Sequence, residues 1–332
     1  MAEKEAGKQL KIDISIIMPV YNHEKYIRKA LDSILAQKTS YRYEVLAGED
    51  ASKDHSADIL KEYETAYPDI FRVFYRKRNL GATKNVYELL MSAKGRYIAN
   101  LEGDDYWTDA WKLQKQADFL ETNRNYIGTA GNFSKIDGEG NLLEKSCIPK
   151  DQLDRVFTWD DFLKKGFVFQ TASVMYRNIY QDGGDYSVFY KAHDLVGDLT
   201  VLTLLLNRGD FFILPDELSA WRYVVRSDGD NAASIASRDR ALSMMKTILQ
   251  YARLVPYLKN ERDYEEKIAA CKADFFVKWL KRQKGYTNRR LQIVLKTGNK
   301  RTNIKAAVYM AEAFAKKLDR LSAAFASKLT GR

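Results

Sequence analysis

Strand and helix signals alternate through the first hundred residues, and no other feature limits the fold as much. Residues 12–20 form a β-rich run that closes on Pro19-Val20-Tyr21-Asn22. Asn22 is placed to cap the helix behind it, where Tyr26, Ile27, Ala30, Leu31, Ile34 and Leu35 share one face. Residues 43–47 read as a second strand. Ser52 opens a second helix carrying Ile59, Leu60 and Tyr63, and Pro68 stops it. A third strand over 71–75, a third helix over 83–93 closed by Gly95, and a fourth strand over 96–101 follow. This β-α-β-α order predicts an α/β fold around a doubly wound, mostly parallel, Rossmann-like sheet.

Beyond Asp105 the rhythm changes. Residues 112–122 are helical, and 126–143 hold turn signals at Asp137-Gly138 and Gly140-Asn141, as in a hairpin. Thr158 and Asp161 are spaced as a capping box. Runs at 168–176 and 211–225 read as strands around a helix at 199–207. From Ala236 the chain is helical, with breaks near Gly285 and Gly298. The expected organisation is one α/β domain over 1–235, with halves of about 12–105 and 106–235, and a helical C-terminal region over 236–332.

Charge separates the same two regions. Residues 281–332 hold 14 Lys or Arg against Glu312 and Asp319, which is +12; with a net charge of +10, residues 1–280 carry −2. A basic tail on a near-neutral body calls for an anionic partner. The last helix, roughly 303–329, places Ile304, Val308, Ala311, Phe314, Leu318, Leu321, Phe325 and Leu329 at steps of three or four. Two readings stand. The stripe packs on the α/β domain or on a second copy of the chain, or it docks on an anionic bilayer. A nucleic-acid role finds no recognised binding module.

Hydrophobic residues at 45% and charged residues at 30% place the chain in the soluble, globular class. Cys147 and Cys271 are too few for a disulfide framework and fit a reducing compartment. Residues 1–11 have no apolar core of a secretory signal, and runs such as 201–206 are far too short to span a bilayer. The expected location is the cytoplasm, with peripheral docking at the inner face of the membrane left open.

Three segments concentrate chemistry. Gly48-Glu49-Asp50-Ala51-Ser52-Lys53-Asp54 follows a strand directly, where ligands bind in a doubly wound sheet. Its carboxylates suit a base or ribose, or a well-capped turn. Glu102-Gly103-Asp104-Asp105 closes the fourth strand. Three carboxylates there repel one another unless a cation or donors intervene, and oxygen ligands at that density suit Mg²⁺ or Mn²⁺. His193-Asp194-Leu195-Val196-Gly197-Asp198 precedes an apolar helix, which Asp198 either caps or exceeds as a general base. Phosphate-loop, dinucleotide and serine-hydrolase motifs are missing, and His23, His55 and His193 make a histidine-rich zinc site unfavourable.

These residues, in this order, resemble the inverting family 2 glycosyltransferases of the GT-A fold over about 12–225. Ile16-Ile17-Met18-Pro19-Val20-Tyr21-Asn22 is similar to that family's opening strand, with Glu24 beyond it. Glu49-Asp50-Ala51-Ser52-Lys53-Asp54 resembles its Asp-Asp-Gly-Ser-Thr-Asp segment, with Glu for Asp and Ala for Gly. Asn79-Leu80-Gly81 with Asn85, the Glu102-Gly103-Asp104 counterpart of the metal-binding Asp-x-Asp, and Gly197-Asp198 complete the match.

The resemblance implies that Pro19, Tyr21, Glu24, Glu49, Asp50, Gly81, Asn85, Glu102, Gly103 and Asp104 surround a nucleotide-sugar. It implies that Asp104, helped by Glu102 and Asp105, holds Mn²⁺ or Mg²⁺, and that Asp198 is the base, with Asp194 as runner-up. A UDP-sugar donor and a glycan or lipid-linked acceptor in cell-surface polysaccharide synthesis are expected. Two positions depart from the pattern: Glu102 replaces the first Asp, and Val224 stands where Tyr-Arg-x-His would carry His. The alternatives are a non-catalytic nucleotide-sugar-binding or assembly subunit and a sugar nucleotidyltransferase. The latter would require a Gly-rich basic loop that Tyr21-Asn22-His23-Glu24 does not provide.

Overall fold

The computed structural model describes residues 11–225 and 232–329, with the side chains of the final helix described through Lys316. Most of the N-terminal segment read above, and Leu318, Leu321, Phe325 and Leu329 of the stripe, lie outside what is described.

The chain divides into two units. The first comprises Met1–Tyr190 and Asp194–Val224. It begins with β1 (Ile14–Val20), α1 (Ile27–Leu35), β2 (Tyr43–Glu49), α2 (Ser56–Ala66), β3 (Phe71–Tyr75), α3 (Ala82–Ser92) and β4 (Tyr97–Asn100). It continues with β5 (Tyr106–Trp107), α4 (Lys112–Thr122), β6 (Tyr126–Ile136), β7 (Leu142–Glu144), β8 (Arg155–Phe157), α5 (Trp159–Lys165), β9 (Met175–Arg177), α6 (Val188–Ala192), α7 (Asp198–Leu206) and β10 (Asp210–Arg222).

The strands form one mixed sheet in the order β3-β2-β1-β4-β9-β6-β10-β5. The first four are mutually parallel, β9 runs antiparallel between β4 and β6, and β6 and β10 are again parallel. β1 is apolar almost throughout because both its faces are covered, the sequence mark of a central parallel strand. Ile14, Ile16, Met18 and Val20 join Ile27, Leu31 and Ile34 of α1, Leu60 of α2 and Leu113 and Leu120 of α4 in one buried cluster. Truncating a side chain such as Leu31, fully buried there, to Ala costs about 2–5 kcal/mol. The opposite face carries Ile17 and Pro19 toward α3 and α7.

Three local expectations are corrected. Asn22 does not cap α1: Tyr26 holds the N-cap position without a side-chain bond, and Asn22 is in the left-handed region at φ 57°. Ser52 does not open α2, which begins at Ser56 after His55. In each case the side chain is spent on the neighbouring loop instead. The run at 168–176 is a strand only from Met175; Thr171–Ser173 form a 3-10 turn. The capping box is present: Thr158 Oγ1 accepts from Asp161 N–H at 3.1 Å, and Asp161 accepts from Thr158 N–H at 3.2 Å.

The second unit, Lys191–His193 and Val225–Arg332, contains α8 (Ala232–Arg238), α9 (Arg240–Leu254), α10 (Arg262–Leu280), α11 (Asn288–Lys296) and α12 (Lys300–Leu329). Gly285 and Gly298 break it at positive φ. Asp239 takes both arms of the Arg290 guanidinium at 2.7 Å. The fully buried Lys272 donates to the carbonyls of Leu295 and Thr297 and to Asn303 Oδ1, satisfying groups that the end of α11 leaves open. On α12, Thr302 and Ala306 are buried. The stripe is not: Ile304, Val308, Ala311 and Phe314 are all exposed.

Candidate active site

The carboxyl ends of β1, β2 and β4 open on one edge of the sheet, the place where ligands bind in doubly wound folds. The loops after β1 and β2 are joined there by reciprocal hydrogen bonds. Asn22 N–H donates to Ser52 Oγ at 3.0 Å, His23 N–H to Ser56 Oγ at 2.8 Å and Glu24 N–H to Asp54 Oδ2 at 3.0 Å. In return Lys53 N–H donates to Asn22 Oδ1 and His55 N–H to Glu24 Oε2, both at 2.8 Å. Pro19 faces the cavity described below, and Tyr21 is half-buried beside it.

Glu49 and Asp50 are almost fully buried, and each binds backbone N–H groups through both oxygens. Glu49 accepts from Ala51 and Ser52 at 3.2 and 2.7 Å. Asp50 reaches thirty residues ahead to accept from Leu80 and Gly81 at 2.7 and 3.0 Å. Burial raises the Asp50 pKa, and those two bonds and Arg76 oppose it. Gly81 is at φ 87° as N-cap of α3. Asn85, on the first turns of α3, donates to the Gly48 carbonyl at 2.7 Å. The contact is so close that a Cβ at Gly48 would lie 2.3 Å from Asn85 Oδ1. Turn-building thus occupies four expected donor-site residues directly.

The acid cluster lies across β1 from this loop. Gly103 N–H donates to the Pro19 carbonyl at 3.2 Å. Asp105 is buried and fully engaged: Oδ1 accepts from Arg222 N–H at 2.7 Å and Oδ2 from Gln170 Nε2 at 2.8 Å. The Arg222 guanidinium stacks 4.2 Å over the Tyr26 ring and donates to the carbonyls of Asp104, Asp137 and Gly138. Gln170 is fixed in turn by the 3-10 turn, accepting from Ala172 N–H at 2.6 Å. Gln170 and Tyr26 have no local sequence signal as site residues, since their roles arise only from contacts across the sheet.

Asp198 is the first residue of α7. Gly197 is the N-cap, and no side-chain cap bond is made, so the capping role considered for Asp198 is not the one it has. With Glu102, Pro19, Thr83, Asn100 and Thr171, Asp198 lines a cavity of about 90 Å³. Burial raises the Asp198 pKa. Burial, followed by the charges of Asp198, Asp104 and Asp105, holds Glu102 well above the usual carboxylate range. Burial and Asp104 do the same to Asp105, against the pull of Arg222 and Gln170. Asp194 is exposed.

Among the described residues no three His, Cys, Asp or Glu side chains converge as a ready metal site. The cluster nonetheless fits a divalent cation in part. Glu102 and Asp104 present hard oxygens, their mutual repulsion is uncompensated, and Mg²⁺-type ions ordinarily take one or two carboxylates and complete their shell with substrate phosphates.

Residues 15–193 match the family described as Glycosyl transferase family 2, and the chain belongs to that family. An uncharacterized protein of Mycobacterium tuberculosis is 38% identical over 164 residues, which are 49% of this chain and 46% of that protein. The putative teichuronic acid biosynthesis glycosyltransferase TuaG of Bacillus subtilis is 33% identical over 155 residues, 47% of this chain and 58% of TuaG. The chain thus spans about half the length of these relatives. Staphylococcus aureus TarS 1–349, solved in complex with UDP-GlcNAc, aligns over 97% of this chain and 93% of its own with a TM-score of 0.62 at 16% identity. That likeness extends through the helical C-terminal region and establishes the GT-A-like, mostly parallel α/β architecture.

Proposed function

We propose that this chain is an inverting glycosyltransferase that moves a sugar from a nucleoside-diphosphate donor, a UDP-sugar before others, to a hydroxyl of a glycan or lipid-linked acceptor. The observation that carries this reading is the shared cavity of Asp198 and Glu102 beside the strand-end acids. In this reading the candidate base stands next to the place where a donor's diphosphate would lie. The names of TuaG and TarS's ligand support a cell-surface polysaccharide and a uridine nucleotide.

In this mechanism Pro19, Tyr21, Glu24, Glu49, Asp50, Gly81 and Asn85 shape the nucleoside side of the cleft, and Gly103 lets the chain pass close to it. Glu102 and Asp104 would hold Mn²⁺ or Mg²⁺, with Asp105 fixing the loop. The ion, when bound, supplies charge neutralisation to the departing diphosphate. Asp198 takes the proton of the acceptor hydroxyl while that oxygen bonds to the anomeric carbon. The bond from carbon to diphosphate oxygen breaks on the opposite face, so configuration inverts. A raised pKa brings Asp198 nearer to neutral pH, which strengthens it as a base.

The test is Asp198→Asn, assayed for sugar transfer and for UDP binding. The expected outcome is transfer reduced about 10²–10⁴-fold with UDP binding kept within a few fold. Near-normal transfer would remove Asp198 as base and return Asp194 to consideration. A parent chain that binds UDP-sugars but transfers none to any acceptor would favour the non-catalytic subunit.

A second reading concerns location. The exposed apolar residues of α12 and the flanking Lys300, Arg301, Lys305 and Lys316 favour docking on an anionic membrane surface. Among the described residues no helix is long and apolar enough to cross a membrane.

A further inference from the structure

The helical C-terminal unit carries a cationic surface that the transfer step does not use. Residues 281–301 hold eight Lys or Arg and no Asp or Glu. Two of the eight meet acids from elsewhere in the unit: Arg290 pairs with Asp239 at 2.7 Å, and Arg301 stands 3.7 Å from Glu265. The other six, Lys281, Arg282, Lys284, Arg289, Lys296 and Lys300, are exposed and have no ion pair among the described residues. Like charges gathered in this way repel one another, and an anionic partner relieves that cost.

The charge centres on the turn between α10 and α11. Arg282 and Gly285 are both in the left-handed region, at φ 51° and 87°. Arg290 holds the turn in place, with Nη1 donating to the Gly285 carbonyl at 2.9 Å and to Asp239 Oδ1 at 2.7 Å. Only glycine allows so close an approach: a Cβ at position 285 would lie 3.1 Å from Asp239 Oδ1 and 3.2 Å from Ala241 Cβ. A cleft opens on either side of the turn, and Gly285 and Thr287 line both. One, of about 590 Å³, is lined by Arg238, Lys284, Arg289 and Arg290. Among the described residues its lining has one acid, Asp239, which Arg290 already holds. The other, of about 650 Å³, is lined by Arg282 and by the rings of Trp279 and Tyr286. Trp279 is anchored there, its Nε1 donating to Asn288 Oδ1 at 2.8 Å.

We infer that this turn is a docking site for a polyanionic glycan, a chain whose sugar or polyol repeats carry carboxylate or phosphodiester groups. The inference rests on the proposed glycosyl transfer and names the class of its acceptor. Concave walls of one charge sign concentrate the opposite charge, and a guanidinium donates in pairs to carboxylate or phosphate oxygens. Two clefts that meet at one turn suit a chain running across it, and an indole face suits the apolar side of a sugar ring. A bilayer calls instead for exposed apolar residues, which α12 supplies. Single-stranded nucleic acid is held by a series of stacking rings, whereas here Tyr286 is buried and Trp279 half-buried. Such a site binds substrate and transition state alike, so it acts on KM.

The experiment uses the full chain and three fluorescent oligomers of equal charge: oligogalacturonate, oligo(glycerol phosphate) and oligodeoxythymidylate. Anisotropy should show at least one of the two anionic glycans binding more tightly than the oligonucleotide, with affinity falling as salt rises. The one that binds tells whether the anions are carboxylates or phosphodiesters. The triple variant Arg282→Gln, Lys284→Gln, Arg289→Gln should weaken that binding at least ten-fold, with circular dichroism and UDP binding unchanged. In transfer onto that glycan, its KM should rise by a similar factor while kcat is kept. Equal glycan binding by parent and variant, or none by the parent, overturns the docking site. Tighter binding of the oligonucleotide than of either glycan overturns it as well. So does parent binding to anionic vesicles that the variant loses, with neither glycan bound, which assigns these cations to a membrane. Should the triple variant fail to fold, Lys284→Gln and Arg289→Gln singly, each expected to weaken binding at least two-fold, decide. Asp198→Asn should hold the glycan as the parent does, so a failed base and a failed docking site give different results.

Discussion

Arg222 and Asp105 grip each other's chain from 117 positions apart: the Arg222 N–H donates to Asp105 Oδ1 at 2.7 Å, and the Arg222 Nε donates to the carbonyl beside it, that of Asp104, at 2.9 Å. The end of β10 therefore sets the height of the acid loop. Arg222→Ala removes three side-chain bonds to carbonyls and the stacking on Tyr26. The expected loss is about 2–3 kcal/mol of stability, with weaker UDP binding in the presence of Mn²⁺. Arg222→Lys should recover little, because one ammonium cannot donate along both guanidinium directions. Denaturant unfolding and calorimetric titration with UDP measure both effects, and full recovery by lysine would show that charge alone matters.

Glu102 is the acid whose surroundings oppose its charge most, through burial and then Asp198, Asp104 and Asp105. Glu102→Gln removes that repulsion. Without ligand the variant's thermal midpoint should rise by about 2–4 °C, the equivalent of ~1 kcal/mol in a chain of this class. The further rise that Mn²⁺ with UDP gives the parent should shrink in the variant, since a weaker ligand stabilises less. A variant that melts like the parent both with and without ligand would remove Glu102 from the site.

Lys112 provides a pH signature away from the active site. It is the fully buried first residue of α4, donating to Gln116 Oε1 at 2.6 Å, with its ammonium 4.5 Å from the Trp107 ring centre. Burial lowers its pKa from 10.5 to about 7. Between those values the unfolded chain holds a proton that the folded chain has released, so this group adds stability as pH rises from about 7 toward 10. Below pH 7 both states are protonated and the cost of the buried charge is present in full. Lys112→Met should therefore compare best with the parent below pH 7 and lose ground steadily up to pH 10. A stability difference that does not change with pH would refute the assignment.

The stripe of α12 can be tested without disturbing the fold, because Ile304, Val308 and Phe314 are all exposed, at 57%, 50% and 48%. Replacing all three with Ser should leave unfolding within about 0.5 kcal/mol of the parent. Co-sedimentation with vesicles rich in anionic lipid should fall at least ten-fold, and neutral vesicles should bind neither form. Equal sedimentation of both proteins on anionic vesicles would end the docking reading.

The strands and helices of the parallel half were legible because buried runs such as Ile14–Val20 and one-sided faces such as Ile27, Ala30, Leu31 and Ile34 carry their period in the sequence. The strand-end acids were legible for a similar reason, being unusual where they stand. Helix starts were misread at Asn22 and Ser52. Both residues have the chemistry of a cap, but their partners, Lys53 N–H for Asn22 Oδ1 and Asn22 N–H for Ser52 Oγ, lie about thirty residues away. Ala51 shows the same limit. Its φ of 57° explains why a glycine suits that position, and only coordinates reveal the angle. Gln170 was beyond sequence reasoning, since its bond to Asp105 depends on what the sheet brings opposite it.

The reciprocal bonds between the Asn22–Glu24 and Ser52–Ser56 loops carry a consequence for anyone redesigning this edge of the sheet. Grafting either loop alone from another enzyme would strand donors and acceptors on its counterpart, so the two must be exchanged together. Length changes in one would be tolerated only with a matching change in the other, which makes this pair a single heritable cassette.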